Sequence, residues 1–222
     1  MLINADFSRR ATVTPDQYQW VASPQVGVER VMLDRLGGEK VRSTSIVRYA
    51  PQSTFPRHQH PGGEEILVLS GTFSDEAAHY PAGWYLRNPP GSSHHPFSDQ
   101  GAIIFVKLGQ MPADKNHRVR IDTHDPRCWQ RWADRDVCPL FADDSEQVSL
   151  QRLDPGMALF ANPVERAEVL VVAGEVLADT RACPRGSWLR CPAGNYPGML
   201  AGAQGATFYL KTGRLGRAPV PV

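Results

Sequence analysis

The stretch His58-Gln59-His60-Pro61-Gly62-Gly63-Glu64-Glu65-Ile66-Leu67-Val68-Leu69-Ser70-Gly71 decides how this chain is read. On an extended strand, side chains alternate faces, so His58 and His60 point the same way. Pro61-Gly62-Gly63 carries turn chemistry. Glu64 then opens an apolar strand in which Glu64, Ile66 and Val68 share one face and Glu65, Leu67 and Leu69 the other. With the first set facing an interior, Glu64 meets both histidines. His94 follows the loop Pro89-Pro90-Gly91-Ser92-Ser93 and can enter the same interior on a neighbouring strand.

Outward from this stretch, short β-branched and aromatic runs recur. Examples are Val28–Leu33, Ser45–Tyr49, Ala102–Leu108, Val148–Leu153, Glu168–Val172 and Ala206–Lys211. Gly- and Pro-rich turns separate them, which predicts an all-β sandwich or barrel. The chain has 222 residues, room for one large domain or two smaller ones. Its formal net charge is +1, from 24 basic and 23 acidic side chains, so no basic stripe argues for nucleic acid. No apolar run is long enough to span a bilayer. Arg9-Arg10 is followed by no apolar segment, so the expectation is a cytoplasmic protein with no membrane partner. The four cysteines, Cys128, Cys138, Cys183 and Cys191, contain no C-x-x-C pair and read as buried, reduced thiols.

An internal repeat organises the chain. Glu65-Ile66-Leu67-Val68-Leu69-Ser70-Gly71 matches Glu168-Val169-Leu170-Val171-Val172-Ala173-Gly174. Pro81 to Gly91 matches Pro184 to Gly194, and Ile104 to Lys107 matches Phe208 to Lys211. Two β-units are expected, residues 1–111 and 112–222, joined through a polar stretch holding Pro112 and Pro126. In the second copy Ala161, Pro163, Ala167 and Pro197 stand where His58, His60, Glu64 and His94 stand in the first, and none of them can ligate.

Three imidazoles and a carboxylate converging in an apolar interior are costly to bury without a partner. One divalent cation holds the imidazoles neutral and the carboxylate ionised, and satisfies all four. This donor set suits zinc, iron, manganese, nickel, cobalt or copper and does not select among them. Glu65 is the competing carboxylate. Spacing favours Glu64 and leaves Glu65 to solvent or an outer partner. His95, next to His94, should point away; His79, His117 and His124 should be exposed. Phe55, Tyr85, Arg87 and Phe105 are candidate pocket-lining residues, with ordinary barrel packing as the alternative.

These motifs resemble the cupins. His58-x-His60-x3-Glu64-x6-Gly71 fits the first cupin motif, with Gln52 where its leading glycine belongs. Gly83-x5-Pro89-x-Gly91-x2-His94 fits the second, with Ser98 in place of the final Asn. The resemblance implies a jelly-roll β-barrel and, with the repeat, a tandem bicupin. Phe55-Pro56-Arg57-His58, His60 to Glu65, Tyr80 to Gly83 and Arg87 to His94 are similar to the cupin domain of ChrR, the anti-sigma factor of bacterial singlet-oxygen responses. That family binds zinc at the positions of His58, His60, Glu64 and His94. The same branch is similar to the acetylacetone-cleaving dioxygenases.

Two roles follow from the resemblance: a regulatory, stress-sensing metal module, or a metal-dependent dioxygenase acting on a diketone or phenol. No region matches the helical N-terminal domain with which ChrR proteins grip their sigma factor, so direct sigma-factor binding is not expected. A small-molecule ligand and a homodimer are both compatible with the sequence.

Overall fold

A computed structural model describes residues 1–37 and 42–213. Residues 214–222, the end of the expected second unit, lie outside the described residues. The chain is built almost wholly of strands; two 3-10 turns, Pro15–Gln17 and Pro126–Cys128, are the helical elements among the described residues. None is long and apolar enough to cross a membrane. Every strand pairing within the two units is antiparallel.

The chain forms two compact units. One comprises Met1–Ala5 and Gln19–His124, the other Asp6–Tyr18 and Asp125–Val222. In the first, the main sheet runs Leu2–Ile3, Val28–Leu36, Ser43–Tyr49, Ala102–Leu108, Glu64–Ser74, Trp84–Asn88, Val119–Asp122. A two-stranded ribbon of His58–His60 and Ser92–His94 stands apart from it. In the second unit, Arg135–Ala142, Glu146–Leu153, Met199–Gly213, Ala167–Ala178, Trp188–Cys191 and Ala11–Val13 follow one another in the same pattern.

This division of contacts departs from a cut at 111/112 in two places. Val119–Asp122 precedes the second repeat in sequence, yet it pairs with Trp84–Asn88 of the first unit. Ala11–Val13 precedes the first repeat, yet it pairs with Trp188–Cys191 of the second. Each short strand satisfies backbone groups along an edge that would otherwise stay open.

The pleat sorts side chains into two faces. Glu64, Ile66 and Val68 lie in register with Leu108, Val106 and Ile104, and Glu64 and Ile66 also with Asn88 and Leu86. Ile66, Val68, Leu86, Ile104 and Val106 join Val28, Tyr49 and Phe73 in the core of the first unit. On the other face, Arg87, Glu65 and Lys107 lie side by side, at 1%, 3% and 1% exposure. The second unit repeats this row as Arg190, Glu168 and Lys211. Its core, with Val169, Val171, Leu189, Phe208 and Leu210, follows the same periodicity.

Gln52, at the place of the first motif's glycine, adopts φ +59°, the left-handed conformation that glycine takes without cost. The motif departs in residue type while the backbone keeps the bend. Gly71 has no such latitude: at φ +69°, a Cβ there would stand 2.0 Å from the Gly101 carbonyl oxygen.

Candidate metal centre

The ribbon and the main sheet together present the site. Pairing of His58–His60 with Ser92–His94 sets His94 opposite His58 in register. The three imidazole rings stand steeply inclined to one another, edge to face, with centroids 4.7 Å apart for His58 and His60, 5.1 Å for His58 and His94, and 4.9 Å for His60 and His94. One ligand atom from each lies within 4.8 Å of the others, a cluster that can hold a metal ion. His60 Nε2 and His94 Nε2 are 3.0 Å apart. Two nitrogens bound to one ion at about 2.0–2.1 Å stand about 3.0–3.4 Å apart, so the spacing fits a shared metal. Glu64 Oε2 lies 3.6 Å from His60 Nε2 and 3.5 Å from His94 Nε2.

Each of these groups is held by a second contact. His58 Nδ1 is 2.7 Å from the Pro56 carbonyl oxygen, so it donates there and leaves Nε2 as the free donor atom. Asn88 Nδ2 donates to Glu64 Oε2 at 2.8 Å, and Arg120 Nη2 donates to Asn88 Oδ1 at 2.6 Å. Asp75 Oδ2 lies 3.7 Å from His94 Nδ1, beyond hydrogen-bond length but close enough for electrostatic attraction. Burial holds His60 below its ordinary pKa, against the opposing pull of Glu64. Burial also lowers His94, but Glu64 and Asp75 outweigh it and the net direction is upward. Asp75 is buried too, which raises it; the nearby His94 and backbone N–H groups of Ala77 and Ala78 outweigh that and hold it low.

A cavity of about 420 Å³ opens beside the cluster. His58, His60 and Glu64 are among its lining residues, and Val28, Val47, Tyr49, Phe55, Ile104 and Val106 supply much of the wall. Phe55, a candidate pocket residue, is among those lining the cavity. Tyr85, Arg87 and Phe105 are not. Tyr85 and Phe105 flank Leu67 in register, and Arg87 flanks Glu65, so alternation puts all three on the face away from the cavity. Glu65 is buried beside Arg87 Nη1 at 3.3 Å rather than solvated. His95 points away from the cluster, with Nε2 2.8 Å from Thr54 Oγ1. His79 is exposed and contacts Ser74 Oγ. Cys138, Cys183 and Cys191 are buried free thiols, and Cys128 is a half-buried one. Burial pushes Cys138 up to about 12 and Cys191 up to about 11.

Asn88, Asp75, Arg120, Tyr49 and Arg30 were not singled out by the sequence. Asn88 alone carried a readable signal: it shares the parity of Leu86 on the strand that pairs with Glu64.

A three-histidine cluster that can hold a metal ion, on an antiparallel barrel and reached through the two motifs, is the arrangement of a cupin. Residues 8–112 match the family model of the ChrR Cupin-like domain, and in this stretch the chain is similar to that family. A proposed dioxygenase of Nostoc punctiforme PCC 73102 superposes at a TM-score of 0.71 with 15% identity, over 100% of this chain and 87% of that one. The protein Ylba of E. coli gives 0.70 at 16%, covering 97% and 95%. Salicylate 1,2-dioxygenase of Pseudoaminobacter salicylatoxidans, solved as adducts with gentisate, gives 0.61 at 12%, covering 93% and 81%. Likeness at these identities establishes the fold. A search of curated proteins finds no match to the chain.

Proposed function

We propose that His58, His60, Glu64 and His94 hold one divalent metal, and that this centre acts on a small organic molecule seated in the adjoining cavity. One observation carries this reading. The cavity reaches His58, His60 and Glu64 directly, so the donor set opens onto ligand-sized space. A closed structural zinc leaves no such position. The three-nitrogen, one-oxygen donor set suits zinc, iron, manganese or nickel. When bound, such an ion polarises a ligand oxygen as a Lewis acid, and iron adds oxygen chemistry. The protein's own part is to hold His58 in one tautomer through Pro56, to aim Glu64 through Asn88, and to surround the ligand with apolar wall. The chemistry is that of a metal-dependent dioxygenase, and the likeness to the salicylate-cleaving enzyme supports it at the level of fold.

The match to the ChrR Cupin-like domain favours a second reading, a regulatory metal module in which ligand or oxidant binding at this site is the signal. In both readings the chain is a bicupin whose second unit has lost the metal. Equal strand order and the repeated Arg-Glu-Lys row support this, as does Ala167 at the Glu64 position.

The test is metal analysis of protein purified without added metal, then anaerobic iron loading and oxygen uptake with small diketones and phenols. Stoichiometric metal with uptake on at least one substrate is expected. Metal without uptake across the panel moves the assignment to the regulatory module; absence of metal affinity overturns both.

A further inference from the structure

The cavity is not lined by the cluster and apolar residues alone. Arg30 lines it, on the Val28–Leu36 strand, where Arg30 pairs with Val47 and shares the parity of Val28. Val28 and Val47 line the same cavity, so Arg30 is placed on the inward face. Among the described residues its side chain makes one hydrogen bond, from Nη2 to Ser23 Oγ at 2.8 Å. Ser23 also lines the cavity and is buried. The neighbouring Glu29 falls on the other parity and is taken by Arg48, whose Nε donates to Glu29 Oε2 at 3.0 Å. A half-buried guanidinium thus stands beside an apolar cavity, tethered by a neutral hydroxyl. Guanidinium groups are built for bidentate recognition of carboxylates, and their charge is not lost at any physiological pH.

Tyr49 also lines the cavity. Its hydroxyl feels both Glu64 and Arg30, and burial keeps it protonated and able to donate.

We propose that the cavity selects a small organic monoanion, an aromatic or aliphatic carboxylate whose charged end lies on Arg30 and whose apolar body runs along Val28, Val47 and Ile104 toward the histidine cluster. This rests on the cavity being the ligand site of the proposed metal centre, but the Arg30 contact does not require the metal to be loaded. The chemistry of Arg30 and the apolar wall explains the preference. A neutral ligand gains the apolar wall and leaves the guanidinium with Ser23; a carboxylate gains the same wall plus charge-assisted hydrogen bonds.

The test uses benzoate and its neutral isostere benzamide, with hexanoate and hexanol as the aliphatic pair. Binding is measured by calorimetry on wild type, Arg30→Gln and Arg30→Lys, each with and without zinc, with metal content and melting temperature recorded for every sample. Wild type is expected to prefer at least one carboxylate over its neutral partner by about tenfold or more. Arg30→Gln should remove that preference while leaving neutral binding, metal content and melting temperature unchanged, and Arg30→Lys should restore part of it. Arg30-dependent carboxylate binding in protein that takes no metal would uphold this inference while the metal reading falls. Equal affinity for charged and neutral partners, an unchanged preference in Arg30→Gln, or no carboxylate binding by wild type would overturn it.

Discussion

Asn88 Nδ2 donates to Glu64 Oε2 at 2.8 Å, and the two residues are direct cross-strand partners. The amide is itself gripped by Arg120. Glu64 is 5% exposed, so its carboxylate orientation is set by protein rather than by water. Removing such an outer hydrogen bond weakens metal affinity about 10–100-fold in well-studied sites. Asn88→Ala should do the same here, measured by chelator competition at pH 7.5, with little change in the urea midpoint of the metal-free protein.

His94 and His95 should separate cleanly. His94 faces the cluster and His95 contacts Thr54 outside it. His94→Ala should strip most of the metal from purified protein, and His95→Ala should retain it. Elemental analysis of the two variants decides the matter; unchanged occupancy in His94→Ala would refute the ligand set.

Metal retention should depend on pH through His94. Its folded pKa lies above the ordinary 6.5, because Glu64 and Asp75 outweigh burial. Protons therefore begin to compete with metal above pH 6.5, and affinity falls as pH drops through that region. In the metal-free protein, the raised pKa contributes stability that is complete below 6.5 and lost as pH rises through the folded value. Asp75→Asn removes one raising charge. It should shift the metal-loss midpoint to lower pH, read by a chromogenic chelator across pH 5–8.

Asp75 has its own signature in acid. Its pKa is held below the ordinary 3.8, so its stabilising contribution is present above that value and disappears as pH falls through the folded pKa. The stability of Asp75→Asn, measured by urea unfolding of metal-free protein, should therefore fall less steeply below about pH 4 than that of wild type.

Glu65 should matter to folding where Glu64 matters to metal. Glu65 and Arg87 form a buried ion pair at 3.3 Å on the face away from the cavity. Truncating one member of a buried pair costs about 3–5 kcal/mol, because the other charge is left uncompensated. Glu65→Ala should lower unfolding free energy by that order, while Glu64→Gln should lose metal and keep most of its stability.

Much of the first unit was legible in the sequence, because period-two alternation is a local rule. The parity of Glu64, Ile66 and Val68 gave the inward face, and the i, i+2 spacing aligned His58 with His60. Applied to the neighbouring strands, that rule needs a register, and register depends on which residues hydrogen-bond across strands. That is why Tyr85, Arg87 and Phe105 were candidates for the cavity and lie on the other face. It is also why the sequence left Glu65 between solvent and an outer partner, where the structure buries it beside Arg87. Asp75 and Arg30 had no local signal: Asp75 lies just past the end of the Glu64–Ser74 strand, and Arg30 reaches the cavity from the separate Val28–Leu36 strand.

By itself, the sequence determined the β architecture, the repeat and the convergence of His58, His60, Glu64 and His94, since motif spacing and strand parity act within a few residues. Tertiary structure alone decided that Ala11–Val13 completes the second unit's sheet and Val119–Asp122 the first. It also decided that Asn88 and Asp75 steady the cluster, and that Arg30 lines the cavity beside it. Those are matters of which strand edges meet, and an edge accepts any backbone whose hydrogen bonds and packing it satisfies, whatever the distance along the chain.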